Sequence, residues 1–290
     1  MEHSTLSISI VLPCLNEATN LVSLLPKLKQ AQPHAEILVV DDGSTDDSAK
    51  ICQQHDIRVV SHPQPLGNGA AIKAGAREAK GDIIVFMDSD GQHQPDDIQL
   101  LLNKLEEGYD MVVGARHSNT HASTKRLIGN TIFNKLASFM TGQKVEDLTS
   151  GFRAVRAKHF KKFLYLLPNG FSYPTTSTMA FFRSALPVAY IPIHAGKRDG
   201  KSKIKLLNDG LRFFVIILKI GALFSPMRLF LPISVLFFLL GVINHIDNYL
   251  SSGTFSNGSL LLYTSSVFIF LMGILSEQIS SLHYRNTDKE

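Results

Sequence analysis

The sequence predicts an α/β domain built on a mostly parallel, doubly wound sheet, followed by a membrane-associated C-terminal part. Three observations carry this reading. Short β-rich runs alternate with helical stretches over the first 115 residues, acidic or glycine-bearing turns follow those runs, and the last quarter of the chain holds two long apolar stretches. A chain of 290 residues has room for one domain of roughly 200 residues plus an appendage.

Strands are expected at 8–12, 37–40, 58–61, 83–87 and 111–113, and helices at about 17–32, 46–55, 69–79 and 95–107. Strict alternation of this kind makes a parallel sheet whose ligands gather at the carboxyl ends of the strands. The motifs fall there: Pro13-Cys14-Leu15-Asn16-Glu17 after the first strand, Asp41-Asp42-Gly43-Ser44 after the second, Gly67-Asn68-Gly69 beyond the third, and Asp88-Ser89-Asp90 at the end of the fourth.

Residues 227–246 carry one charge, Arg228 at the edge, and at 1.5 Å per residue they reach about 30 Å, the thickness of a bilayer core. Residues 260–275 carry none, and the second span is set at about 260–279. The connector 248–259 has no Lys or Arg, whereas Lys197, Arg198, Lys201, Lys203, Lys205, Arg212, Lys219 and Arg228 precede the first span. The positive-inside rule then puts both termini in the cytoplasm. Between 203 and 226, Ile204, Leu207, Leu211, Phe214, Val215 and Leu218 recur at helical spacing among basic residues, which reads as an amphipathic helix lying in the membrane interface.

Composition narrows the classes of function. A net charge of +4 is too mild to indicate a nucleic acid partner. Cys14 and Cys52 are the only cysteines, so a disulfide framework is excluded and a reducing compartment is the simpler setting. The first seven residues are polar and show no secretory signal, so the catalytic domain is expected in the cytoplasm. Gly67-Asn68-Gly69 lacks the third glycine and the ribose-binding acid of a dinucleotide fold, which disfavours an oxidoreductase.

Asp88 and Asp90 stand one residue apart at the sheet's ligand edge, a donor set that suits a hard divalent cation with positions left for diphosphate oxygens, and Gln92 is near enough to add a neutral oxygen. Asp41 is placed to accept hydrogen bonds from a base or ribose, although the same segment also reads as a helix cap.

These residues resemble family 2 of the glycosyltransferases, in the branch of dolichyl-phosphate mannose synthase and the bacterial polyprenyl-phosphate sugar transferases. Six motifs keep the family's order: Pro13-x-x-Asn16-Glu17, Val40 to Ser44, Asp88 to His93, Val113 to Arg116, Thr149 to Arg153, and Arg198-x-Gly200-x-Ser202-Lys203. The resemblance implies the nucleotide-sugar-binding GT-A fold, here over residues 1–202, while the hydropathy and charge pattern sets an interfacial helix over 203–226, two transmembrane helices within 227–282 and a cytoplasmic tail at 283–290. The resemblance also implies Mg²⁺ or Mn²⁺ as cofactor, inversion at the sugar carbon, a GDP- or UDP-sugar donor and a polyprenyl phosphate acceptor. By the same resemblance, Pro13, Leu15, Glu17, Asp41, Asp42, Asp88 and Ser89 line the nucleotide-sugar pocket, and Asp88, Asp90 and Gln92 hold the metal. Arg116, Arg126, Arg198 and Lys203 meet the acceptor phosphate, and Asp90, Arg116, Asp147 and Arg153 are the catalytic candidates. A homo-oligomer is compatible with the sequence.

A lipid phosphate, with a second pKa of about 6, is largely dianionic at neutral pH and attacks without a strong base. Arginines suit two approaching phosphates through permanent charge and forked donors. A hydroxyl acceptor would need a general base, for which Asp147 is the candidate. Arg153 is open to a structural reading as well, and His93 reads as packing. A processive polysaccharide synthase is disfavoured by the absence of Trp, and a non-catalytic nucleotide-sugar-binding scaffold by the complete set of acids and arginines.

Overall fold

A computed structural model of the chain describes residues 6–116, 124–170, 172–193, 196, 218–219 and 221–285, and among these the side chains of 124–130 and 283–285 are left aside. The chain divides into two units, residues 1–135 with 144–205 and residues 136–143 with 206–290. The first unit alternates β1 (Ile8–Cys14), α1 (Ala18–Ala31), β2 (Glu36–Asp41), α2 (Ser48–Gln54), β3 (Arg58–Ser61), α3 (Asn68–Glu78), β4 (Ile83–Phe86), α4 (Asp97–Glu106) and β5 (Met111–Arg116). Helix α5 (Thr124–Thr141) follows, its last residues falling in the second unit, and then come β6 (Arg153–Arg156), α6 (Ala157–Lys162), α7 (Tyr173–Arg183) and β7 (Val188–Ile193).

The sheet runs β3-β2-β1-β4-β6-β5-β7. Every pairing is parallel except those of β6, which lies antiparallel between β4 and β5. The five strands expected from the sequence are present, and β6 and β7 are additions, β6 inserted between β4 and β5 and β7 placed beyond β5. Neither has a strong strand signature. β6 is Arg-Ala-Val-Arg, with its first arginine turned inward, and β7 carries Pro192, which is tolerated because β7 forms the sheet's edge.

Helices cover both faces. On one, Leu21, Leu24, Leu25 and Leu28 of α1 and Ile98, Leu101, Leu102 and Leu105 of α4 repeat at i, i+3, i+4 and i+7 and bury against Ile10, Leu12, Val39, Val85 and Val112. On the other, Phe86 meets Phe160 of α6 at 4.7 Å and Tyr173 of α7 at 6.1 Å between ring centroids. Helix α3 approaches this face so closely that a Cβ on Gly75 would overlap Val11 Cγ1 and come within 3.0 Å of Val40 Cγ2.

Register fixes the site's location. Cys14 pairs with Asp41 and Asp41 with Ser61, while Val11 pairs with Phe86, so the turns after β1, β2, β3 and β4 all leave the sheet at one edge.

In the second unit, α8 (Pro226–Ser252) and α9 (Asn257–Arg285) form a hairpin. Both helices are long and apolar enough to cross a membrane, with mean hydropathy of 2.2 and 1.9 over their best windows, of which only 11% and 17% is buried. Core helices of a soluble domain would be mostly buried, whereas Leu236, Ile243, Leu250, Phe268 and Leu275 all lie exposed. Both helices overrun the expected limits of 246 and 279. Of the expected interfacial helix, 203–217 and 220 lie outside the described residues; 218–219 and 221–224 are helical, and Ser225 interrupts the helix before Pro226.

Small residues let the two helices approach: a Cβ on Gly241 would stand 3.0 Å from the Tyr263 ring, and one on Gly273 2.9 Å from Phe230 Cβ. Between them Ser234 Oγ donates to the Ser266 carbonyl at 3.0 Å and Ser266 Oγ donates to the Ser234 carbonyl at 2.9 Å. Arg228 Nη1 donates to the carbonyls of Phe139 and Met140 at 2.9 and 3.2 Å, capping the end of α5.

The Gly75 contact is open to measurement. Gly75→Ala is expected to lower stability by about 1–3 kcal/mol through overpacking, with part of the loss recovered by Val11→Ala in the same chain. Thermal unfolding of the single and double variants checks this, and equal or higher stability of the single variant would show that α3 has room to retreat.

Candidate active site

The site begins with two loops stitched together at the sheet edge. Asn16, at φ 58° in the left-handed region that Asn tolerates, turns the chain out of β1. Its N–H donates to Ser44 Oγ at 2.9 Å, and its Oδ1 accepts from the Thr45 N–H at 2.8 Å. The Glu17 N–H donates to Ser48 Oγ at 3.1 Å. The loop after β1 is thereby fastened to the loop after β2.

The two acids of the second motif have separate tasks. Asp41 is buried and its Oδ1 accepts the Ser44 N–H at 2.9 Å, closing its own turn. Asp42, buried too, reaches across to the loop after β3, where Leu66 N–H donates to Oδ1 at 2.9 Å, Gly67 N–H donates to Oδ2 at 2.8 Å, and His62 Nδ1 lies 2.7 Å from Oδ1. Gly67 has φ +107°, a conformation that favours glycine. The same loop is held from its far side, where Gly69 N–H donates to the Gly170 carbonyl at 3.0 Å and Ala70 N–H to that of Asn169 at 2.8 Å.

These loops and the end of β4 enclose a cavity of about 570 Å³, lined by residues that include Pro13, Leu15, Glu17, Asp42, Leu66, Gly67, Asp88, Ser89 and Asp90. Its size falls within the few hundred to a thousand Å³ of small-molecule sites. Ser89 Oγ donates to the Pro13 carbonyl at 2.8 Å, tying the acidic turn to β1. Behind Asp88 stands the 150–153 segment, where a Cβ on Gly151 would come within 3.0 Å of Asp88 Oδ2. Tyr173 Oη donates to the Gly151 carbonyl at 2.8 Å. Gln92 N–H donates to Asp90 Oδ1 at 3.2 Å, and the Gly196 N–H donates to the Gln92 carbonyl at 2.8 Å.

Of the residues the sequence assigned to the nucleotide sugar, Pro13, Leu15, Glu17, Asp42, Asp88 and Ser89 line the cavity, and Asp41 does not. Of the metal candidates, Asp88 and Asp90 line it and Gln92 does not. Among the described residues there is no group of three or more His, Cys, Asp and Glu side chains placed to hold a metal, so Asp88 and Asp90 are an all-oxygen pair suited to a hard cation that takes its remaining ligands elsewhere. Cys14 also lines the cavity, and burial pushes its thiol up. The side chain of Arg126, and Arg198 and Lys203 altogether, lie outside the described residues.

Arg116, at the end of β5, is held by Asp147. Nε donates to Oδ2 at 2.8 Å, Nη2 to Oδ1 at 3.0 Å and the backbone N–H to Oδ2 at 3.2 Å, while Nη2 also reaches Thr149 Oγ1 at 2.6 Å. Burial alone would raise the Asp147 carboxyl, but the hydrogen bonds and charge of Arg116, with the backbone amides of Arg116 and Thr149, hold it below the usual carboxylate range. Asp147 is therefore a paired anion and a poor base. Asp88, Asp90 and Asp147 all act electrostatically on Arg116.

Arg153 is fully buried. It donates to the carbonyls of Ser150 and Pro174 and to the hydroxyls of Ser177 and Thr178, which ties the 150–153 segment to α7. His93 stacks on Phe152 at 4.8 Å between ring centroids, and burial lowers its pKa to about 4, so it is neutral at physiological pH. Sequence reasoning missed Asn134 and His62, neither of which sits in a motif. For His62 the signal was positional, one residue beyond a strand end that pairs with Asp41.

The comparisons agree with this geometry. Residues 9–164 match the family described as Glycosyl transferase family 2, and residues 225–282 match the GtrB C-terminal hairpin. The undecaprenyl-phosphate 4-deoxy-4-formamido-L-arabinose transferase of Pseudomonas savastanoi pv. phaseolicola is 32% identical over 81% of this chain and 71% of its own length. Polyprenol monophosphomannose synthase of Mycolicibacterium smegmatis is 28% identical over 69% of this chain and 81% of its own. Among solved structures, glucosyl-3-phosphoglycerate synthase from Mycobacterium tuberculosis, in complex with Mn²⁺, UDP and glucosyl-3-phosphoglycerate, matches with a TM-score of 0.61 at 22% identity, covering 75% of this chain and 81% of that one. The chain belongs to glycosyltransferase family 2, and the fold is GT-A.

The Asp147–Arg116 pair has a pH signature. A carboxyl held low in the folded state stabilises fully above its unfolded pKa of about 4, and that stability is lost as pH falls through the folded value. Asp147→Asn is expected to cost about 1–3 kcal/mol at pH 7, with the gap to the wild type closing below about pH 4. Unfolding measured from pH 7 to pH 3 decides it; a gap that stays constant would mean that the pair does not form.

Proposed function

We propose that the protein transfers a sugar, with inversion, from a GDP- or UDP-sugar onto a polyprenyl phosphate. The observation that carries this is the cavity at the sheet's carboxyl edge, which brings the apolar and acidic end of β1, the Asp42-bound glycine loop and the carboxylates of Asp88 and Asp90 into one space. The names of the two relatives supply the acceptor class, and the solved structure supplies the precedent of Mn²⁺ beside a nucleoside diphosphate.

In this reading Pro13, Leu15, Glu17 and Asp42 receive the nucleoside. Asp41 shapes that wall from behind by closing the Ser44 turn. Asp88 and Asp90, with Gln92, would hold Mg²⁺ or Mn²⁺. A cation held there would supply positive charge to the departing diphosphate. Ser89 fixes the acidic turn through Pro13, and Arg153 backs Asp88 indirectly by anchoring the Ser150–Gly151 backbone.

Arg116 presents its charge to the acceptor phosphate, joined by Arg126, Arg198 and Lys203 on the strength of the family motifs. Because a phosphate monoester is already largely dianionic at neutral pH, the reaction does not require Asp147 as a base, which agrees with its carboxylate being committed to Arg116. A hydroxyl acceptor would need that carboxylate free. The hairpin crosses the membrane with the connector on the far side and the catalytic domain in the cytoplasm, where a polyprenyl chain can sit in the bilayer with its phosphate at the interface.

Two measurements test the reading. Radiolabelled UDP- and GDP-sugars are offered to the full chain in membranes with undecaprenyl phosphate or undecaprenol. Label is expected to pass to the phosphate alone, to stop on chelation and to return with Mg²⁺ or Mn²⁺, and Asp90→Asn is expected to lose at least about a hundredfold in turnover with its unfolding profile kept. Equal transfer to the alcohol, or full turnover by Asp90→Asn, would overturn it. For topology, Ser256→Cys and Asp288→Cys are expected to react with an impermeant thiol reagent from opposite sides of sealed vesicles; reaction of both from one side rejects two spans.

A further inference from the structure

The segment 142–152, between α5 and β6, is itself neither helix nor strand, yet it delivers Asp147 to Arg116. Local bonds give little restraint. Asp147 Oδ1 accepts the Thr149 N–H at 3.1 Å, a contact that would travel with the segment if the segment moved. The end of the segment is held to β5, where Ser150 Oγ donates to the Gly114 carbonyl at 2.6 Å, and the stretch around Asp147 is gripped from the other side by a side chain of α5.

Asn134 donates from Nδ2 to the Glu146 carbonyl at 2.5 Å and accepts the Leu148 N–H at its Oδ1 at 3.0 Å. A carboxamide carries the same donor and acceptor as a peptide group, so it can replace a neighbouring strand. Here it grips the carbonyl before Asp147 and the amide after it. With both flanking peptides fixed to a helix, the Asp147 carboxylate has one direction to point, and it meets Arg116 Nε and Nη2 at 2.8 and 3.0 Å. The long Arg116 side chain, more than a quarter exposed, would otherwise sample several rotamers.

We propose that Asn134 is a positioning residue for sugar transfer, acting through Asp147 on the Arg116 guanidinium. The inference rests on the reading of Arg116 as a partner of the acceptor phosphate. It requires Asn134 at this place: Asp would keep the bond from Leu148 but set an acceptor against the Glu146 carbonyl and a second negative charge beside Asp147, and Ala would remove both bonds.

The test is a double-mutant cycle on the full chain in membranes, assayed under single-turnover conditions so that slow variants are still read. Asn134→Ala is expected to lower kcat/KM for undecaprenyl phosphate at least tenfold, while the thermal shift produced by UDP or GDP with Mn²⁺ stays as in the wild type. In an Arg116→Lys background the same substitution is expected to change transfer by less than twofold, because the geometry it protects is already gone. Asn134→Asp serves if the alanine variant does not fold, and the same losses are expected of it. Transfer by Asn134→Ala within twofold of the wild type, or an equal drop in both backgrounds, would overturn the inference. Wild-type activity of Arg116→Lys would instead remove the assigned role of Arg116, a distinct outcome.

Discussion

The parallel register of the first four strands is the constraint on which the site depends. Cys14, Asp41 and Ser61 stand level across β1, β2 and β3, and β4 joins β1 with Phe86 opposite Val11. A slip of one residue in a pairing would exchange the two faces of the slipped strand, and it would carry the following turn out of reach of its neighbours. The hydrogen bonds from Asn16 to the Ser44–Thr45 turn and from Asp42 to Leu66 and Gly67 are short reaches between adjacent strand ends. They are consequences of the register, and they also resist its slipping.

The unit handles the acids of its site in three ways. Asp41 and Asp42 are satisfied by backbone amides of neighbouring turns, so their negative charge is spent on loop geometry. Asp147 is satisfied by a guanidinium, which makes the pair nearly neutral and leaves Arg116 oriented. Asp88 and Asp90 line the cavity, where a third solution, a divalent cation, suits them. Arg153 is the inverse case. A cation buried among carbonyls and hydroxyls has its pKa lowered by desolvation. It is a costly way to hold a backbone, and the backbone it holds is the one against Asp88.

Legibility in the sequence follows from how local each signal is. The strands β1 to β5 and helices α1 to α4 declare themselves through alternation and i, i+3, i+4, i+7 spacing, and the acidic and glycine turns through their place after strands. β6 is hidden because its inward residue is an arginine, and antiparallel insertion between β4 and β5 is a long-range choice that no local pattern encodes. The two acids of Asp41-Asp42 look alike in sequence, and only the neighbouring turns separate the one that lines the cavity from the one behind it. Asn134 carries no motif at all; its meaning comes from a segment twelve to fourteen residues further on.

The hairpin presents the opposite economy. Its outward faces are apolar enough that a bilayer gives no net drive for the two helices to associate, since lipid tails solvate Leu and Phe as well as each other. What remains is close approach and polar pairing. Gly241 and Gly273 allow the first, and the reciprocal bonds of Ser234 and Ser266 supply the second, each hydroxyl satisfied by the other helix's carbonyl. A serine on one helix alone would have satisfied itself on its own backbone one turn earlier. Paired across the hairpin, the two serines, together with Ser259 Oγ donating to Asn244 Oδ1 at 2.8 Å, set which residues of α8 and α9 face each other, much as the ladder sets the register of the sheet.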